Sequence, residues 1–202
     1  MRKKINHSHW PPYDKLVVWT SIVVGFFGSF RMGELLSPHT LHFDQHSTLL
    51  WSDISFSGKN CLLRIRHPKN RSLTAETISL VPFPHHRFSP PHLLHKLLLQ
   101  QQQLGILSSS QPVFKFASNN LLTKRALNSV LHACFPHHHP PLTARSVRTA
   151  IPTILSTAAF PVPDSSVQAW GRWQSDAFHR YQRPPHIRRQ RIYDHLLTLL
   201  LP

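Results

Sequence analysis

Apolar residues dominate residues 13–27, with only Asp14, Lys15, Thr20, Ser21 and Gly25 breaking the run. A run of that length without clean alternation predicts a largely buried helix. Gly25-Phe26-Phe27-Gly28 predicts a tight packing point. Residues 30–36 predict a helical turn or second short helix, which Pro38 ends. The period then shortens, and residues 49–56, 61–66 and 77–83 read as β-like runs rich in branched and aromatic side chains. Residues 57–60 and 67–70 carry turn chemistry between them, so a small antiparallel sheet of three strands follows.

Pro90-Pro91 opens a Leu-rich helix through Gln103, with Gly105 as its stop. Residues 112–116 read as extended. Asn119 or Asn120 is expected to cap a helix that turns Leu122, Leu127, Val130 and Leu131 inward. Residues 136–141 form a loop, and 143–158 a helix that Pro152 should kink or interrupt. Asp164 is expected to cap a helix over 165–170, one or two more turns follow at 176–181, and Pro184-Pro185 breaks the chain. A last helix over 186–201 is basic at its start and Leu-rich at its end. The expected fold class is α+β, mostly helical, with the small sheet on one side.

Length and composition narrow the chemistry. The chain has 202 residues, enough for one domain with appendages, and 41% hydrophobic residues supply a core. Residues 1–12 are basic and rich in His and Pro, and read as a flexible arm. The apolar stretch at 16–30 is interrupted by Thr20, Ser21, Gly25 and Gly28 and stopped by Arg31, short of the ~18–20 apolar residues of a membrane span. No membrane association and no secretion signal are expected. Lys and Arg number 23 against 8 Asp and Glu, a formal net charge of +15. That imbalance points to a polyanion, nucleic acid first. The shortage of carboxylates disfavours two-metal hydrolysis and paired-acid glycosidase chemistry. Cys61 and Cys134 cannot build a zinc cage or a disulfide framework. The run His137-His138-His139 lies between prolines, and three consecutive histidines cannot all face one ion in regular structure. No metal or other cofactor is expected.

The basic residues recur at telling intervals. Arg31 follows the first helix, and Glu34 lies three residues on, sharing a face if the turn is helical. Arg145 and Arg148 are also three apart, and Arg172-Trp173 precedes Tyr181. A guanidinium matches two phosphate oxygens at once and stays charged at any relevant pH. Two such groups would stabilise the extra charge of a pentavalent phosphorus transition state, and a nearby tyrosine could be the nucleophile.

Arg31-Met32-Gly33-Glu34-Leu35 resembles the "R-x-x-E-L" segment of tyrosine recombinases, the phage-type integrases. Arg145-Ser146-Val147-Arg148 sits where that family has "H-x-x-R". The segment from Pro163 to Tyr181, which closes in Trp170-Gly171-Arg172-Trp173-Gln174-Ser175-Asp176-Ala177-Phe178-His179-Arg180-Tyr181, closely resembles the family's ending "L-G-R-W-x-S-x-A-x-x-R-Y", typical of the eukaryotic, retrotransposon-associated branch. The likeness covers residues 13–183 and the catalytic domain alone, with residues 184–202 as a C-terminal helical tail. It implies a site-specific recombinase or integrase that cuts and rejoins double-stranded DNA through a 3′-phosphotyrosine. Arg31 and Arg148 would clamp the scissile phosphate, Tyr181 would attack it, and Lys69 would protonate the leaving 5′-oxygen. Glu34 would hold Arg31 or a neighbouring cation, and Arg172 and Trp173 would donate to the phosphate. The resemblance further implies nuclear localisation in a eukaryote, cytoplasmic otherwise, and homo-oligomers on DNA through the tail.

Three departures from the family pattern bear on activity. Arg145 replaces the family histidine and cannot act as a base. Pro152 lies in the helix expected to carry Arg148, and too few residues precede Arg31 for the family's core-binding domain. The alternative reading is therefore a catalytically decayed integrase domain that still binds DNA. A generic RNA-binding protein fits less well, because Gly-rich or aromatic RNA-stacking motifs are lacking.

Overall fold

A computed structural model describes residues 1, 5, 10–66, 68, 75–156, 162–173 and 175–181. The chain divides into two compact units, Met1–Arg148 and Thr149–Pro202.

The first unit is built on helix α1, Pro12–Phe27, whose residues from Val17 to Gly25 are all buried. Its C-terminus is closed by a Schellman motif. Phe30 N–H donates to the Gly25 carbonyl and Ser29 N–H to the Phe26 carbonyl, with Ser29 left-handed at φ 47°. The expected packing point at 25–28 is real. A Cβ on Gly28 would stand 2.0 Å from the Phe30 ring, and Phe30 is fully buried. The chain then enters the short helix α2, Met32–Leu35.

Strands β1 (Ile54–Ser57), β2 (Asn60–Ile65) and β3 (Glu76–Leu80) form the antiparallel sheet in the order β1-β2-β3. Register pairs Phe56 with Cys61 and Leu63 with Ile78. Gly58 takes φ +57° at the first central position of the β1–β2 turn, where hairpin turns of type II′ need glycine. The core face of β2 is Cys61, Leu63 and Ile65, all buried. The expected first strand begins later than the pattern implied. Trp51–Asp53 form a 3-10 turn, because the Asp53 carboxylate accepts the Leu50 N–H at 3.0 Å and folds the chain back on itself.

Helix α3, Pro90–Gln103, packs on α1 and β2. It ends in a second Schellman motif, with Gly105 left-handed and Ile106 N–H donating to the Gln101 carbonyl. The buried Gln101 side chain accepts from Trp51 Nε1 at 2.7 Å and donates to the Val113 carbonyl at 2.9 Å. That amide ties the sheet entry to the extended segment after α3. Helix α4, Lys124–Cys134, is capped by Thr123, not by Asn119 or Asn120. The Thr123 hydroxyl accepts from Ala126 N–H, while Asn119 takes φ 64° in the preceding turn. Leu122 and Leu127 flank the cap in the pattern of a hydrophobic staple, and both are buried.

Helix α5, Ala144–Ser156, continues through Pro152 and carries the unit boundary. The second unit also contains α6, Asp164–Gly171, and a 3-10 turn over Asp176–Tyr181 that packs on α6. Asp164 occupies the first helical position rather than the cap, which is Pro163. A third Schellman motif ends α6: Trp173 N–H donates to the Gln168 carbonyl and Arg172 N–H to the Ala169 carbonyl. The expected helix over 186–201 lies outside the described residues. No helix among the described residues is long and apolar enough to cross a membrane.

Candidate nucleic-acid site

The first unit carries Arg31, Arg148 and the end of β2, and the turn that bears Arg31 meets each of the other two segments. Arg31 stands at the start of α2. Its backbone N–H donates to Glu34 Oε2 at 2.9 Å, and its Nη1 to Glu34 Oε1 at 3.1 Å. Glu34 is buried while the Arg31 side chain is 28% exposed. The pairing therefore anchors the arginine at its base and leaves part of it facing solvent, as the expected role of Glu34 requires.

Gly25 joins this turn to α5. A Cβ at Gly25 would stand 2.6 Å from Met32 Sδ and 3.3 Å from Val147 Cγ1. Met32 follows Arg31 in sequence and Val147 precedes Arg148. Absence of a side chain at one position of α1 thus lets the carriers of both arginines close on the same spot. Arg148 is 8% exposed and Arg145 is exposed. With Ala144, Val147 and Ile151 buried, α5 turns its Arg145 side outward and holds Arg148 at the margin of its apolar face.

The third segment is the end of β2. Arg64, Ile65 and Arg66 line a cleft together with Glu34, His46 and Asp53. Arg66 is fixed there. Its Nε donates to Asp53 Oδ1 at 2.7 Å, Nη1 to the Gln45 carbonyl at 2.6 Å and Nη2 to Ser52 Oγ at 3.1 Å. Asp53 is almost fully buried, and its second oxygen takes the Leu50 N–H. Sequence reasoning missed this pair. The available signal was an aspartate in a chain with so few acids, just before a strand. The β2–β3 connection departs from this cleft at Arg66. Lys69 belongs to that connection and lies outside the described residues.

The second unit holds the closing motif. Arg172 has φ 55° and ψ 42°, a left-handed conformation costly for a side chain with a Cβ. A Cβ on Gly171 would fall 1.2 Å from the Trp173 ring, so glycine is what allows the indole to fold back on α6. The His179 ring lies 3.9 Å from the Asp164 carboxylate, across the exposed surface between the turn and the start of α6. The backbone of Tyr181 ends the 3-10 turn. Its side chain is outside the described atoms.

Carboxylates are spent on structure. Besides Glu34 and Asp53, Asp14 accepts the Ala117 N–H at 3.0 Å and Asp44 the His46 N–H at 2.9 Å. No group of three or more His, Cys, Asp or Glu able to hold a metal ion occurs among the described residues. What the site offers chemically is fixed positive charge and hydrogen-bond donors.

Two solved structures share this fold. One is XerH site-specific recombinase bound to difH substrate in a pre-cleavage complex, with a TM-score of 0.61 at 14% identity, over 89% of this chain and 46% of that one. The other is the same recombinase bound to palindromic difH substrate in a post-cleavage complex, with a TM-score of 0.63 at 13% identity, over 97% of this chain and 49% of that one. The chain thus spans about half the length of the structures it matches. No family model and no curated protein matches the sequence. The fold is that of a tyrosine-recombinase catalytic domain, as the sequence resemblance implied.

Proposed function

We propose that this domain cleaves and rejoins double-stranded DNA through Tyr181. The Tyr181 hydroxyl oxygen attacks the scissile phosphorus and gives up its proton to solvent water, and the bond from phosphorus to the 5′-oxygen breaks. That oxygen takes a proton from Lys69, leaving a 3′-phosphotyrosine and a free 5′-hydroxyl. Arg31 and Arg148 balance the charge that accumulates on the non-bridging oxygens, with Arg145, Arg172 and Trp173 as further donors. The observation that carries this reading is the Gly25 joint, where the residues next to Arg31 and Arg148 meet. The recombinase fold agrees with it, and the segment from Gly171 to Tyr181 favours the retrotransposon-associated branch.

The test is covalent trapping of the full chain on duplexes enriched by binding from a random pool, each carrying a thiol leaving group at the 5′ position. The expected result is a denaturant-stable protein–DNA adduct, lost in Tyr181→Phe and indifferent to chelator. Binding without any adduct would favour the second reading, a decayed integrase domain that only holds DNA. Arg145 is the residue that supports that reading, because an exposed arginine cannot take the proton from Tyr181.

A further inference from the structure

Where the 3-10 turn His86–Phe88 meets α1 and α3, the first unit carries a groove of about 360 Å³. Lys15, Arg87 and Lys96 line it, and no carboxylate among the described residues does. Its floor includes Trp19, whose Nε1 donates to the Arg87 carbonyl at 2.8 Å and so locks the turn against α1. Aromatic rings continue from that floor to the surface. Phe88 meets Trp19 edge-on with centroids 5.7 Å apart, and His85 meets Phe88 at 5.5 Å. His86 stacks on His85 at 5.3 Å and contacts His92 at 5.5 Å. Phe88 and the three histidines are exposed.

Charge and ring geometry together define the ligand. A row of exposed rings with cations along it is what unpaired bases and their phosphates require, since every base has a stackable face. A duplex keeps its bases stacked on one another and would use only the cations. A peptide acidic enough for the cations would leave the rings without planar partners. We propose that this groove binds a single-stranded nucleic-acid segment, with bases on the His92, His86 and Phe88 rings and phosphates on Lys15, Arg87 and Lys96. The groove uses none of the residues assigned to strand cleavage, so the inference stands apart from the proposed chemistry.

The experiment is fluorescence anisotropy of the full chain with a labelled short oligothymidylate and, separately, a duplex of equal length. His92→Ala and Lys96→Glu change exposed side chains on α3, and thermal melting confirms that each variant folds. The expected result is oligothymidylate affinity about 5-fold or more weaker in His92→Ala, with duplex affinity unchanged. Lys96→Glu weakens the single strand more steeply than the duplex. Equal losses for both probes would make the groove a duplex-backbone contact, and no loss for either would remove it as a binding site. Should Lys96→Glu not fold, Arg87→Ala takes its place with the same two readings. The Tyr181 adduct is read in a separate assay, so either result leaves the other intact.

Discussion

Ser29 shows how closely single residues constrain the region near Arg31. It is fully buried and left-handed, and its hydroxyl has no hydrogen-bond partner among the described residues. Both the backbone conformation and the orphan hydroxyl cost free energy. Ser29→Gly should therefore raise stability by about 1 kcal/mol in urea denaturation, despite the added freedom of the unfolded chain. A fall in stability would mean that the hydroxyl or its Cβ contributes packing that outweighs the strain. Cys61 makes a second residue-scale prediction. Burial on the core face of β2 pushes its thiol up from 9.0 to about 12. The folded state holds that proton more tightly than the unfolded one, so the contribution is complete below pH 9.0 and is lost as pH rises toward about 12. Cys61→Val should flatten the alkaline loss of stability across that interval. A residual slope belongs to Tyr13, whose hydroxyl burial also raises, and which donates to the Lys115 carbonyl. An unchanged slope in Cys61→Val would assign the whole effect elsewhere.

At the scale of elements, the joint of α1, α2 and α5 organises the arginines. Gly25→Ala places a methyl against Met32 Sδ and Val147 Cγ1. Overpacking of this kind costs about 1–3 kcal/mol. The predicted signature is a larger loss in DNA strand cleavage than in duplex affinity, because the two arginine carriers are forced apart while the basic surface survives. Equal losses would reduce Gly25 to a general packing residue. This joint was half legible in the sequence. The Gly-Phe-Phe-Gly spacing announced a close approach, but not that Val147, more than a hundred residues later, would share it. The helices were legible for similar local reasons: Pro90-Pro91 and Gly105 bracket α3 as expected. The strand entry at 49–53 was not. Its apolar pattern fits a strand, but the Asp53 carboxylate takes the Leu50 N–H and, held buried against Arg66, folds the segment into a 3-10 turn. The cap of α4 was misplaced because asparagine is a good cap in isolation, while the Leu122–Leu127 staple selects Thr123.

Over the whole molecule, few acids and many arginines are two aspects of one design. Glu34 and Asp53 are each buried against an arginine, fixing the α2 turn and the root of the β2–β3 connection. The other basic residues keep the chain strongly positive, at a formal net charge of +15. Composition raised the expectation of a polyanionic partner, and spacing singled out which arginines to test. What neither could give is the contact of Met32 and Val147 at Gly25, or the placing of Glu34 beside the end of β2, since both depend on contacts distant in sequence. In the proposed reaction, Arg31 and Arg148 serve one phosphate. A crystal structure of the full chain on a bound duplex measures this directly. Both guanidinium groups should lie within about 3 Å of oxygens on a single phosphate. Arginines on two different phosphates, or either one turned away from the DNA, would contradict it.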